Sequence, residues 1–246
     1  MITRNCACLI AIVLLLSSCE KKEKAVSVPV KFTETAYQPL GTFDDFGKHN
    51  YLVTPDAISP SLLSYISNTL PERIDMRTAH PELLTSTAIG DIDISQQSDV
   101  FITFVSQGSG VTNTLAFYTY PTNKPPATAK DIKEIKYIFP NAGQGTTLQA
   151  GDKVKIGRFE AGNSVGFVLL SSCWNPVSKQ FNNDVVHFCS NDVLNPEVNP
   201  NLKKHAVLIN YAAENKVIIG FEDLDRTRSD CDHDFNDVMV YATVTP

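Results

Sequence analysis

From residue 89 onward the apolar residues fall in short runs separated by Gly, Pro and Asn, a spacing that predicts strands rather than helices. The runs 100–106, 114–120, 135–139, 153–159, 164–170, 206–211, 216–221 and 238–244 predict a mainly β fold, a jelly-roll-like β-sandwich over residues 89–246. Phe101, Phe104, Phe117, Phe167 and Val168 are its expected core, and residues 131–133 after Thr128 read as one helical turn over a sheet edge. The pattern upstream is different. Ser59 can cap a helix over residues 60–70 with Pro60 in its first turn, and Leu62, Leu63, Ile66 and Leu70 recur on one face. Residues 59–88 therefore form a short N-terminal helical segment expected to pack on the domain, with residues 19–58 as tether and irregular lead-in.

Residues 1–18 carry Arg4, an apolar run over 9–16 and the tetrad Leu16-Ser17-Ser18-Cys19. The apolar run is shorter than the roughly 20 residues of a membrane span. Small residues before a cysteine fit a lipoprotein signal, cleaved before Cys19 so that Cys19 is acylated and holds the chain to a lipid bilayer. Glu20, rather than Asp, after the lipidated cysteine favours the bacterial outer membrane by analogy with lipoprotein sorting. Periplasmic and surface-facing orientations both stay open.

The formal charge of -6 becomes one unit more negative when Arg4 leaves with the signal, which argues against nucleic acid as a partner. Cys6 and Cys8 leave too and Cys19 is acylated, so Cys173, Cys189 and Cys231 remain. In an oxidising compartment an odd count predicts one disulfide and one free thiol. Cys173–Cys189 closes a short loop and Cys189–Cys231 is the alternative; a zinc site on these cysteines and His233 lacks paired spacing.

The densest chemistry lies between the last two runs. Residues 220–237, G-F-E-D-L-D-R-T-R-S-D-C-D-H-D-F-N-D, hold seven carboxylates and one side-chain amide in eighteen positions. Glu222 and Asp223 close one strand while Asp234, Asn236 and Asp237 open the next, so pairing of the two strands brings both clusters to one sheet end. Unit charges ~4 Å apart repel by roughly 4 kcal/mol at a surface-like dielectric. A hard, oxygen-seeking cation removes that cost, and Ca2+ suits these five ligands best. The EF-hand spacing fails, because Phe235 takes the glycine position and Tyr241 that of the bidentate Glu. A solvated acidic hairpin, offset by Arg226 and Arg228, is the alternative.

The run G-F-E-D followed by D-H-D-F-N-D resembles the C-terminal signature of the LruC-type domain family of exported bacterial proteins, part of which is catalogued as domain of unknown function 4114. N-T-L-A-F-Y-T-Y-P at 113–121, I-F-P-N-A at 138–142, G-D-K-V at 151–154 and L-N-P-E at 194–197 look like further signatures of that family in its order. The resemblance spans residues 59–246 and implies an exported β-rich module that binds calcium, with no established activity.

No nucleophile elbow, zinc-protease helix or phosphate loop is present, and Ser109 in G-S-G has no recognisable catalytic partner. Glu222 and Asp223, neighbours on a strand, would point to opposite faces, which is unsuited to paired-carboxylate glycoside hydrolysis. The chain is thus expected to be a cell-envelope lipoprotein whose calcium-stabilised sandwich serves as a binding, adhesion or surface-structural module. An extracytoplasmic hydrolase with an unrecognised site is the alternative. Asn141, Gly143, Gly145, Trp174 and Asn175 mark sandwich loops able to carry a glycan or protein ligand.

Overall fold

The structure is a computed structural model that describes residues 30–85 and 87–246. The signal, Cys19 and the first part of the tether lie outside the described residues. Among the described residues no helix is long and apolar enough to cross a membrane.

Two sheets face each other. One contains β1 (Ala36–Pro39), β2 (Ile92–Ile94), β4 (Thr114–Pro121), β5 (Glu134–Phe139), β7 (Asn163–Leu170) and β10 (His187–Cys189), in the order β1-β5-β4-β7-β10 with β2 also on β7. The other contains β3 (Ser98–Gln107), β6 (Lys153–Phe159), β11 (Ala206–Tyr211), β12 (Lys216–Phe221) and β13 (Val238–Thr245), ordered β11-β12-β13-β3-β6. A small hairpin pairs β8 (Trp174–Asn175) with β9 (Gln180–Phe181). The fold is mainly β and sandwich-like, with neither sheet closed into a barrel; the finer jelly-roll connectivity does not follow from these orders.

The central strands read as nearly continuous apolar runs because both of their faces are covered, whereas edge strand β6 alternates, with Lys155 and Arg158 exposed. In β12, Ile219 and Phe221 join Phe104, Phe117, Phe139 and Phe167 between the sheets, whereas Ile218 points the other way. That outer face is covered by α1 (Pro60–Thr69) and the short α2 (Met76–Ala79), through Leu62, Ile66, Leu70 and Met76. Each such buried side chain contributes about 1.5–3 kcal/mol relative to exposure. Ser59 caps α1 as expected, its Oγ accepting the Leu62 N–H at 3.0 Å. Leu63 does not join the buried stripe and is 43% exposed.

Two of the expected core residues lie outside the layer between the sheets, although Val168 is fully buried as core. Phe101 follows a bulge in the β3–β6 pairing and is half-buried under Lys153. Val168 packs in the separate layer on the outer face of the first sheet, with Tyr118, Tyr137, Cys173 and Cys189. That layer is closed by residues read from the sequence as tether. Phe32 is buried and stacks on His187 at 4.4 Å, and β1 pairs in parallel with β5. Cys173, Cys189 and Cys231 are all buried free thiols, so the expected Cys173–Cys189 bridge is not formed. Cys189 is fixed by its register opposite Val168, and Cys173 lies beyond the end of β7 where its sulfur faces Asn183.

Candidate functional site: a buried acidic cradle

The loop between β12 and β13 folds back over its own first strand, and one glycine permits this. A Cβ at Gly220 would lie 2.3 Å from the Phe235 carbonyl oxygen and 2.8 Å from Leu70 Cδ1. Phe235 and His233 both adopt positive φ (60° and 61°), a costly conformation for non-glycine residues that persists only where surroundings enforce it. The surroundings are the helical segment. The Met76 N–H donates to His233 O at 3.0 Å, the Arg73 N–H to Asp234 Oδ2 at 2.8 Å, and Asn236 reaches the Leu70 carbonyl.

Held this way, the loop brings three of the five expected ligands together. One oxygen each from Glu222, Asp223 and Asp237 lies within 4.8 Å of the others. β12 ends at Phe221, so Glu222 and Asp223 escape the strand alternation that would have sent them to opposite faces. Asp223 Oδ2 accepts Asn113 Nδ2 at 2.6 Å and the Ser109 hydroxyl. Asp237 Oδ2 accepts the Asp223 N–H at 2.8 Å, and Glu222 Oε1 accepts the Leu224 N–H at 3.3 Å. Among the described residues, Glu222 Oε2 is buried with no hydrogen-bond partner. Burial raises the Asp237 carboxyl well above its ordinary range, helped by the charges of Asp223 and Glu222, and burial raises Glu222 as well.

Asp234 belongs to a different acidic group, and Asn236 extends its side-chain amide toward the Leu70 carbonyl. Asp234 groups with Asp232 and the exposed Glu72, and both its oxygens accept backbone N–H groups, from Arg73 and Asn236. Its charge also adds to the lift on Asp237.

The counter-charge comes from Arg226, which is 2% exposed, donates from Nη1 to the Lys204 carbonyl at 2.8 Å and lies over the Phe235 ring. Arg228 merely pairs with exposed Asp230. Arg226 Nε also donates to His233 Nδ1 at 3.1 Å, beside the Cys231 sulfur at 3.2 Å from the same nitrogen. Burial and then Arg226 hold the His233 imidazole down to about 4, and burial pushes the Cys231 thiol up. Glu222, Cys231 and His233 thus form a second close group, but the guanidinium occupies the imidazole nitrogen and opposes a soft cation there. The all-oxygen trio of Glu222, Asp223 and Asp237 fits a hard cation.

Ser109 and Asn113 were not legible as site residues. The structure supplies the partner missing from G-S-G: Ser109 is held by Asp223, Asn113 and the Val111 backbone, with no imidazole among these contacts. Glu197, from L-N-P-E, is fully buried and pairs with His205 Nε2 at 2.8 Å behind Arg226. Of the loop residues expected near a ligand, Gly145 and Asn175 are exposed. Asn141 and Trp174 are buried, and a Cβ at Gly143 would lie 2.1 Å from Val111 O.

Fold and site together define a β-sandwich module with an acidic cradle at one sheet end, braced by a helical segment. Residues 159–245 match the model of a domain of unknown function, DUF4114, and this stretch contains every carboxylate of the cradle. No curated protein and no solved structure matches the chain. The matched stretch is not a whole folding unit: β13 pairs with β3, and β7 with β4, both upstream of it.

Proposed function

We propose that the protein is a cell-envelope lipoprotein whose sandwich is stabilised by calcium in the Glu222–Asp223–Asp237 cradle and serves as a binding, adhesion or surface-structural module. The observation carrying this reading is that Glu222, which has a buried and unpartnered Oε2, brings a carboxylate oxygen within 4.8 Å of oxygens of Asp223 and Asp237. Two buried carboxylates and a half-buried third beside one arginine need a proton or a cation, and an oxygen-only donor set favours calcium over zinc. The lipoprotein part rests on the signal pattern ending at Cys19. Kinship with the wider LruC-type family, proposed from the motifs upstream of residue 159, agrees with an exported module.

Calorimetry and thermal melts of the full chain with calcium, with magnesium and with chelator test the metal. Calcium at about 100 times its dissociation constant adds roughly 2.7 kcal/mol to the folded state. Identical melts in calcium and chelator, with no heat of binding, would overturn the reading.

A further inference from the structure

We propose that a separate cleft at the start of β2 binds a neutral saccharide unit, a proposal that rests on the reading of the protein as a binding module and names its ligand class. The cleft, of about 260 Å³, is lined by Asp91, Tyr120, Ser190, Asn191, Asp192 and Lys204. Sequence patterning gives no hint of it, since its residues come from five separate stretches of chain.

Asp91 is positioned from both sides. The Tyr120 hydroxyl donates to Oδ2 at 2.5 Å and the Ser190 hydroxyl to Oδ1. A carboxylate oxygen accepts two hydrogen bonds, so each retains one acceptor site. Lys204 is 5% exposed, and among the described residues its ammonium binds Asp192 alone, at 3.0 Å from Oδ2 and 3.3 Å from Oδ1. An ammonium has three donors, so at least one is left for a ligand. Its backbone is fixed as well, because the Lys204 carbonyl takes the Arg226 guanidinium of the acidic loop.

A fixed carboxylate and a fixed ammonium in one small cleft suit a vicinal diol, in which one hydroxyl donates to the carboxylate while its neighbour accepts from the ammonium. The Tyr120 and Pro125 rings add apolar surface for the C–H face of a sugar ring. The volume lies just under the roughly 300 Å³ lower bound of drug-sized pockets, which limits the occupant to about one ring. Charge narrows the class further. Asp91 and Asp192 outnumber Lys204, disfavouring acidic sugars and phosphate, while Lys204 and the two hydroxyls already on Asp91 disfavour a metal ion.

The test is a ¹⁵N NMR titration of the full chain in detergent with the methyl glycosides of glucose, galactose and mannose, using methyl glucuronide and butylammonium as charged controls. At least one neutral glycoside is expected to shift amides around residues 90, 120, 190 and 204. Lys204→Met should weaken it by about tenfold or more, as loss of a charge-assisted hydrogen bond implies. Gly90→Trp should abolish it at unchanged melting temperature, since a Cβ at Gly90, on the wall of the cleft, meets no atom within 4 Å. The proposal is overturned if no neutral glycoside binds, if binding survives Gly90→Trp, or if either charged control binds as tightly as the neutral sugars. A chain silent to glycosides that still gains stability from calcium loses this cleft alone, and one that binds glycosides without responding to calcium loses only the metal.

Discussion

The Asp223 N–H donates to Asp237 Oδ2 across 2.8 Å, joining the second residue past β12 to the residue just before β13. This bond closes the neck of the acidic loop and places two carboxylates where their charges oppose each other unless a third species intervenes.

The first prediction separates the cradle from its neighbour. Glu222→Gln and Asp237→Asn should each remove most of the calcium-dependent rise in melting temperature, so that variant and chelated wild type melt alike. Asp234→Asn should retain the calcium response and lose about 1 kcal/mol in both conditions, because its oxygens serve backbone N–H groups of the brace. Paired melts of the three variants decide this; equal loss of response in all three would place Asp234 among the ligands.

Gly220→Ala should destabilise the chain by about 1–3 kcal/mol or more, since the added methyl meets a backbone carbonyl that cannot rotate away. Urea unfolding measures it. Gly90→Ala is the control and should be nearly neutral, because the same atom there enters open space.

Acid should weaken the fold through buried histidines. Burial holds His49 and His187 down to about 4 in the folded protein, against 6.5 in an unfolded chain. Between those values the unfolded state binds more protons, so the stability present above pH 6.5 is lost as pH falls toward 4. His49 packs on Tyr51 and Phe139, and neither ring nitrogen has a hydrogen-bond partner among the described residues. His49→Phe should therefore raise stability by about 1 kcal/mol at pH 7 and flatten the decline between pH 6.5 and 4.5. An unchanged slope in denaturation curves across that range would assign the acid sensitivity to other groups.

The thiols should behave as buried and unbridged. Burial pushes Cys173 up to about 11 and raises Cys189 and Cys231 as well, so native protein should resist alkylation. Denaturation without reductant should label all three in peptide maps. A protected Cys173–Cys189 pair would contradict the structure and restore the bridge expected from the cysteine count.

If Cys19 carries the anchor, Cys19→Ala should move the protein from the detergent phase to the aqueous phase on partitioning. A wild-type protein already in the aqueous phase would remove the lipid-anchor proposal.

The sequence by itself determined the mainly β class, α1 with its Ser59 cap, and the bounds of β6, β11 and β12, because these elements carry strong local signals: long apolar runs, a capping hydroxyl with a following proline, and clear breakers. It also located the acidic stretch and the glycine that opens it. It did not reveal β1, β2 or β10, of three or four residues each, which are strands only because longer neighbours offer them backbone partners. Nor could spacing show which carboxylates meet. Alternation along β12 implied that Glu222 and Asp223 diverge, yet the strand stops one residue earlier and both turn into the cradle. Asp234 is drawn off by Arg73, 161 residues away in the chain, and Asp223 is secured by Asn113, 110 residues away. Contacts at such separations leave no periodic trace in sequence, so tertiary packing alone chose the three carboxylates of the cradle and gave Ser109 its partner.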